Sequence, residues 1–518
     1  MTRPLRFLCA VGVLALLGVS AGAPAMALRL EVTVDLTTPE TCADASRRGL
    51  DLACLPEGTV GQLHRQVCSY AWLAGLCEST AFPDPGYATD DDPSPDQPLE
   101  LRVGAVHEHS SYSDGDPTAI PRDYFRAGRL GHNVADSGGD TGVKLDFMFS
   151  SEHSDNGQIP ITTNAACLDP ASPHFVFACA HLGETHQYWK WPATLLQANE
   201  ETERSESGAY TGFTGIRGFE WTNDLFNHMN VYFSTNFVNV KIDGSYLSMD
   251  AFWNWLREPV AQGGGADALV TFNHPGGDPK LTPFDGGLPH TQLLAQLGGG
   301  NWNDVAYVPD VDDRVAGMEI NGGEDIEFYV KALTKGWHIG PVTAEDEHER
   351  EWSTSAEGKT LFLTRGRSPS DYYFALQNHR SVAIMAPLVG GAPGTKATFP
   401  TIHFFADGTE IQDPNATVLG STIVAPGSHD LTVEADGLPA GSRVALISDT
   451  GGGQQSPIQL GAADAGGSFS AIHSAASPAS GQDWYFVVVC PAEAGAGCGT
   501  NQSYTAVTAP IWLAGPTG

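Results

Sequence analysis

The sequence predicts an α/β protein in three parts: a small disulfide-stapled N-terminal segment, a body of alternating strands and helices, and a C-terminal antiparallel β-sandwich. Three observations carry this. Between residues 99 and 398, short apolar strand candidates alternate with helix-like segments, the pattern of a parallel sheet or barrel. From residue 399 to 518, Gly, Ser, Ala and Thr dominate, helix signals vanish and short alternating runs succeed one another. Ahead of both, Cys42, Cys54, Cys68 and Cys77 crowd a short stretch. A chain of 518 residues also exceeds one ordinary domain.

Residues 1–27 read as a secretory signal peptide. Arg3 and Arg6 give a basic start, Phe7 to Val19 an apolar run, and Ala25-Met26-Ala27 a small-residue cleavage site. The run is shorter than the ~20 residues that a membrane span requires. No later segment reads as a span, so export to the periplasm or the medium is expected. Cys9 leaves with the signal, and eight cysteines remain. An even number in an exported chain favours disulfides. Local closure pairs Cys167 with Cys179 and Cys490 with Cys498, while the first four allow three pairings that the sequence leaves open. Residues 28–98 comprise this Cys-rich cap (28–80), with a helix-prone stretch at Val60 to Leu76, and a Pro-, Asp- and Gly-rich linker (81–98).

In the body, strands are expected at Leu101–Val106, Leu145–Phe149, Gly215–Phe219, His228–Phe233, Ala268–Phe272, Val315–Ile320 and His338–Val342. Helical spacing appears at Arg122–Leu130, Met249–Leu256 and Ile326–Lys335. In the last part, strands are expected at Leu431–Ala435, Arg443–Ile447, Trp484–Val489 and Ala509–Leu513.

The formal net charge is −34, and losing Arg3 and Arg6 deepens it to −36. Such a surface repels polyanions, which excludes duplex nucleic acid as the main partner and leaves small-molecule substrates. Plain solubility accounts for the rest of this acidity.

Nine candidate metal ligands follow the strand-like runs in order: His107, His109, Asp114, His153, Glu220, His228, His274, Asp346 and His348. Imidazole and carboxylate suit zinc, manganese or iron. His107 and His109, separated by one residue, point to the same side of a strand end and can grip one ion together. A shared mouth at the C-terminal strand ends would gather the ligands. His228 departs from this rule because it begins its run.

In this order the motifs resemble the polymerase-and-histidinol-phosphatase (PHP) family of metal hydrolases. That family opens with Asp-x-His-x-His and a nearby Ser-Asp-Gly; here stand Ala105-Val106-His107-Glu108-His109 and Ser113-Asp114-Gly115. Its later motifs are similar to Glu152-His153, Gly218-Phe219-Glu220 with His228, Asn273-His274-Pro275, and Asp346-Glu347-His348 with Gly340 upstream. Two positions depart: Ala105 replaces an Asp, and Glu152 replaces the Asp beside His153.

The resemblance implies a distorted seven-stranded β/α (TIM-like) barrel holding two or three divalent ions (Zn, Mn or Fe). It places His107, His109, Glu220 and Asp346 on the first ion and lets Glu220 bridge to a second held by His228 and His274. Asp114, His153 and His348 complete a third. Asp346, His348 and Glu220 are the expected catalytic residues. The implied activity is phosphoester cleavage by a metal-bound hydroxide.

Pro510-Ile511-Trp512 is similar to the closing segment of an exported group of that family that includes carbaryl hydrolase. This gives a second reading, hydrolysis of a carbamate, ester or amide, with Trp189, Trp191, Trp221 and Phe226 receiving an aryl group. A third is a non-catalytic surface binding protein on the same scaffold. Glu319 matches a family strand whose Glu is not a ligand, and it reads as structural. His132, His181, His186 and His338 match no motif and read as ordinary polar residues.

Overall fold

The computed structural model describes residues 85–116, 119–133, 140–154, 187–207, 212–223, 227–238, 240–242, 245–275, 305–323, 325–385, 388–408, 417–449, 457–500 and 503–516. The signal peptide, the Cys-rich cap, Cys167 with Cys179, His181 and His186 lie outside them.

The protein is a mixed α/β structure. In the first part, strands β1 (Glu100–Ala105), β2 (Phe147–Phe149), β3 (Glu152–His153), β4 (Thr214–Ile216), β5 (Gly218–Asn223) and β6 (Asn227–Tyr232) are followed by a small hairpin, β7 (Lys241–Ile242) with β8 (Ser245–Tyr246). Next come β9 (Leu269–Phe272), β10 (Val315–Glu319), β11 (Gly340–Val342), β12 (Lys359–Thr364) and β13 (Ser381–Ile384). Helices α1 (Pro121–Leu130), α2 (Gln187–Ser207), α3 (Met249–Arg257), α4 (Asp325–Lys335) and α5 (Pro369–Gln377) lie between them. Three of these helices begin and end on local signals. In α1, Asp123 accepts the Ile120 N–H at 3.0 Å, and Gly131 closes the other end at φ 70°. Ser248 caps α3, and a Ser368–Asp371 capping box starts α5.

Pairing divides these strands into two ladders. One runs β4–β2–β1–β12–β13 and the other β3–β5–β6–β9–β10–β11. The chain changes ladder four times, and two of these changes, between β2 and β3 and between β4 and β5, are made within one or two residues. Ser150 stitches the first change, donating its N–H to Ile216 O (3.0 Å) and its hydroxyl to Gly218 O (2.9 Å). At the second, the buried Arg217 donates to Ser234 O (2.7 Å) and lies 3.7 Å over the Trp191 ring.

The expected parallel sheet is only part of the pairing. β6 runs antiparallel to both β5 and β9, and β1 antiparallel to β12. Only three residues separate β5 from β6, enough for a hairpin but far short of a parallel crossover. Reversal puts the start of β6 beside the ends of β5 and β9. That resolves the exception at His228.

The last part contributes β14 (Thr401–Ala406), β15 (Thr417–Val418), β16 (Thr422–Ile423), β17 (Ser428–Asp436), β18 (Arg443–Asp449), β19 (Ile458–Ala462), β20 (Phe469–Ala476), β21 (Gln482–Cys490), β22 (Ala506–Thr508) and β23 (Ile511–Ala514). An antiparallel four-stranded sheet, β15–β14–β17–β20, is present as the alternating runs predicted. The remaining strands do not close a separate sheet. β22 pairs with β13, so β16, β18, β19 and β21–β23 extend the first ladder into an eleven-stranded sheet. The Cys490–Cys498 disulfide forms as expected, with Cα atoms 5.7 Å apart.

β21 shows why this continuity is favourable. Its run Trp484-Tyr485-Phe486-Val487-Val488-Val489 does not alternate with polar residues because both faces are buried. Tyr485 and Val487 pack with Phe404, Leu431 and Val433 of the four-stranded sheet. Phe486 and Val488 pack with Phe272, Met318, Tyr329 and Trp337, and the Phe486 ring meets Tyr329 edge-on at 5.3 Å.

His338, just ahead of β11, ties the same two parts by polar contacts. Its Nδ1 lies 2.6 Å from Asp312 Oδ2 and its Nε2 2.9 Å from Gln482 Oε1. Burial opposes charge on this ring, but Asp312 and Gln482 outweigh it and raise the imidazole above its ordinary value. A raised imidazole contributes stability fully below about pH 6.5, and that contribution fades as pH climbs through the folded-state value. His338→Ala should therefore lose about 1–2 kcal/mol of unfolding free energy. Urea denaturation should show a larger loss at pH 6 than at pH 8.5; equal losses at both would refute the charge coupling.

Candidate metal centre

Eight of the nine expected ligands stand at or next to a strand end or in the loop beyond it, and Glu220 lies inside a strand. His107 and His109 follow β1, His153 ends β3, Glu220 lies in β5, His228 opens the reversed β6, His274 follows β9, and Asp346 and His348 follow β11. Two backbone devices bring them together. Glu108 bridges in parallel to Glu347, with the His109 N–H donating to Glu347 O at 3.1 Å, so His109 faces the Asp346–His348 loop. The Ser113-Asp114-Gly115 turn folds back onto Ser110, whose carbonyl accepts the Gly115 N–H at 3.0 Å. A Cβ at position 115 would meet Ser110 N at 2.7 Å, so glycine is required there. His274 (φ 23°) and Asp346 (φ 49°) both occupy the left-handed region, a cost that surrounding contacts must offset.

All nine residues gather around three carboxylates. Glu220 Oε1 lies 3.0 Å from His228 Nδ1, 3.4 Å from His274 Nε2 and 3.5 Å from His107 Nε2. Its Oε2 lies 2.6 Å from His153 Nδ1 and 3.9 Å from His109 Nε2. Asp346 Oδ1 approaches His109 Nε2 at 3.1 Å and His107 Nε2 at 3.3 Å. Asp114 Oδ1 approaches His348 Nε2 at 3.2 Å and His153 Nε2 at 3.3 Å. Three sets have ligand atoms close enough to share an ion: His109, Asp114, His153 and His348; His107, His109 and Asp346; and His153, Glu220 and His228. His274 belongs to none of these sets but meets Glu220, and its ring lies 5.0 Å from that of His228.

The donor set fits divalent metal. His107 Nε2, His109 Nε2 and Glu220 Oε2 are buried and make no well-directed hydrogen bond, although carboxylate or imidazole atoms stand close by. Lone pairs aimed at a common point produce that geometry. Their other ring nitrogens are engaged: His107 Nδ1 on Glu319 (2.6 Å), His109 Nδ1 on Ser113 Oγ (3.2 Å), His348 Nδ1 on Asp346 O (2.9 Å). An imidazole that gives its Nδ1 proton to oxygen keeps Nε2 as a ligand. His153 Nδ1 lies 2.8 Å from Thr222 Oγ1, which favours Nε2 for this ring too. His109 belongs to two of the three sets through a single nitrogen, so the sets overlap and cannot all be filled independently.

Electrostatics follow from this crowding. Burial would raise Glu220, but His228, His153 and His107 hold it well below the ordinary carboxylate range. Burial opposes charge on His107, yet Glu319, Asp346 and Glu220 raise it well above the ordinary imidazole value. His153 is raised in the same way by Glu220 and Asp114, and His348 by Asp114 and Asp346. His109 is pushed down to about 3 by burial, then by His153 and His348. Access is graded. His107, His109 and Glu220 form a sealed floor, whereas Asp114 and Asp346 are 48 % and 41 % exposed at the rim.

Several residues contribute roles that the sequence reading did not assign them. Glu152 accepts from Ser110 N (3.1 Å), Ser110 Oγ (2.5 Å) and Ser113 Oγ (2.6 Å), and so anchors the loop carrying Asp114. Asn273, beside His274, donates to Glu220 Oε1 at 2.8 Å. Glu319 makes no contact with solvent and bonds His107. The sequence marked it only as structural, through its match to a family strand. The aromatic expectation needs correction: Trp221 is fully buried and stacks on Phe252, and Trp191 packs against Arg217 and Phe219, so both are core residues. The Trp189 side chain and Phe226 lie outside the described residues.

Protons and cations compete for His107, His153 and His348. Because these rings are raised, lowering pH protonates them and removes ligands. Affinity for Zn, measured by chelator competition, should fall at least about tenfold from pH 8 to pH 6, with proton release on binding. A pH-independent affinity would contradict the assignment of these imidazoles. No family model, curated protein or solved structure matches this chain, so its own residues establish a buried His/Glu/Asp cluster able to hold metal ions.

Proposed function

We propose that this chain is an exported, metal-dependent phosphoesterase of the PHP type, its two ladders forming the walls of a distorted barrel with the ligands at one mouth. The observation that carries the reading is the convergence of six imidazoles and three carboxylates from separate strand ends on buried, unsatisfied Nε2 and Oε2 atoms. Structural histidines do not normally gather this way, because like groups crowd and desolvate one another without gain. These residues would hold two or three divalent ions, which would supply an acidified water as nucleophile and a Lewis acid for the substrate oxygen.

The residues divide the work by depth. His107, His109 and Glu220 would fix the metal from the sealed floor, with Glu220 contributing the most deeply buried negative charge of the three ligand carboxylates. Asp346 and His348 stand at the accessible edge, where an incoming ester meets the site. Three carboxylates do not neutralise two or three divalent ions. The surplus positive charge suits a dianionic phosphoryl group better than a neutral carbamate. The acidic remainder of the molecule turns away long polyanions. Residues 1–27 as an export signal, 28–98 as a Cys-rich cap and acidic linker, 99–398 as the catalytic body and 399–518 as an appended sandwich complete the proposal.

The test is a hydrolysis screen on metal-loaded protein with aryl phosphate mono- and diesters, aryl carbamates and carboxylic esters. Aryl phosphates should turn over. Asp346→Asn and His107→Ala should each lower the rate at least about a thousandfold, near 4 kcal/mol in barrier, with the fold intact. Unchanged rates in either variant would move the chemistry elsewhere. Carbamates or carboxylic esters reacting a hundredfold faster than phosphates would replace the phosphoesterase reading.

A further inference from the structure

We propose that Glu319 is a positioning residue that aims two metal ligands at once, His107 through its ring and His274 through its backbone. The inference rests on the metal-binding reading above and adds a residue that no ligand motif contains.

Glu319 ends β10 and its side chain is fully buried. A carboxylate in that setting is costly unless its oxygens are bonded. Its partners come from three other parts of the centre. Oε1 lies 2.6 Å from His107 Nδ1, after β1, and receives the Asn230 amide of β6 at 3.3 Å. Oε2 receives the His274 N–H, after β9, at 2.8 Å. Both oxygens therefore act as acceptors, which requires the proton on His107 Nδ1 and leaves Nε2 free to face Asp346 and Glu220. The other oxygen holds the peptide of His274 in its left-handed conformation at φ 23°. That backbone would otherwise relax, swinging the ring away from Glu220. Ala105, two residues before His107 on β1, offers no polar side chain, so the orienting carboxylate arrives from a different strand.

This geometry makes an amide a poor substitute, although it has the same shape. In Glu319→Gln, an amide oxygen accepting from His107 would leave the NH₂ facing the His274 N–H, donor against donor. Turned the other way, the oxygen would accept from His274 and the NH₂ would donate to His107 Nδ1. That forces the ring proton onto Nε2 and blocks ligation. A residue that merely filled space would tolerate the isostere.

The full mature chain, stripped of metal, is titrated with Zn²⁺ against a chromophoric chelator as wild type, Glu319→Gln and Glu319→Ala, with near-ultraviolet circular dichroism to confirm the fold. Both variants should bind at least one ion about 10- to 100-fold more weakly than wild type. Wild-type affinity in Glu319→Gln, with the wild type itself loading normally, overturns this proposal and spares the metal centre. A wild type that binds no Zn²⁺ overturns the metal centre, and this proposal with it. Should the variants fail to fold, a structure of Zn-loaded wild type decides. His107 Nε2 on the metal with Nδ1 on Glu319 supports the assignment; metal on Nδ1, or on Glu319 itself, overturns it.

Discussion

Glu220 is sealed from solvent, and five imidazole rings stand around its two oxygens. The rest of the site is organised by that contact. A lone buried carboxylate is strongly unfavourable, and protonated imidazoles can stabilise it only by becoming buried charges themselves. Divalent cations would resolve the conflict, since neutral imidazoles and ionised carboxylates would then all be satisfied ligands. The depressed Glu220 carboxyl and the raised His107 and His153 rings express the same demand in the language of protons.

The fold meets this demand by topology. β6 is turned around between β5 and β9, so a strand that begins with its ligand delivers it to the edge where its neighbours end. Asn273 and Glu319 then lock neighbouring ligands across strands. Support comes from behind as well. Trp221 and Phe272 pack in the same cluster as Phe486 and Val488, so the C-terminal part buries the back of the ligand-bearing ladder. This rigid backing suits ligands that must keep their geometry without large motions.

Much of this was legible in the sequence because each ligand sits next to a short apolar run, and such runs are strong local signals. Six of the seven strands expected from Leu101 to Val342 shifted by only a residue or two, whereas Gly215–Phe219 breaks at Arg217 into β4 and the start of β5, in different sheets; the Cys490–Cys498 pair followed from spacing. What was not legible is non-local. Strand direction was misjudged at β6, although the gap from Asn223 to Asn227 is too short for a crossover and should have shown the reversal. The union of β13 with β22 depends on a pairing across more than a hundred residues, which no periodicity reveals. Trp191 and Trp221 looked like a substrate wall because composition cannot tell a core aromatic from a rim one. Glu319 looked merely structural for a similar reason: its partner His107 is 212 positions away.

The most direct measurement is the number of tightly bound divalent ions per chain, by elemental analysis of the purified protein after remetallation and exhaustive dialysis. Six imidazoles and three carboxylates converging as they do should retain two or three ions, of Zn, Mn or Fe. Fewer than one per chain would contradict the account at its root.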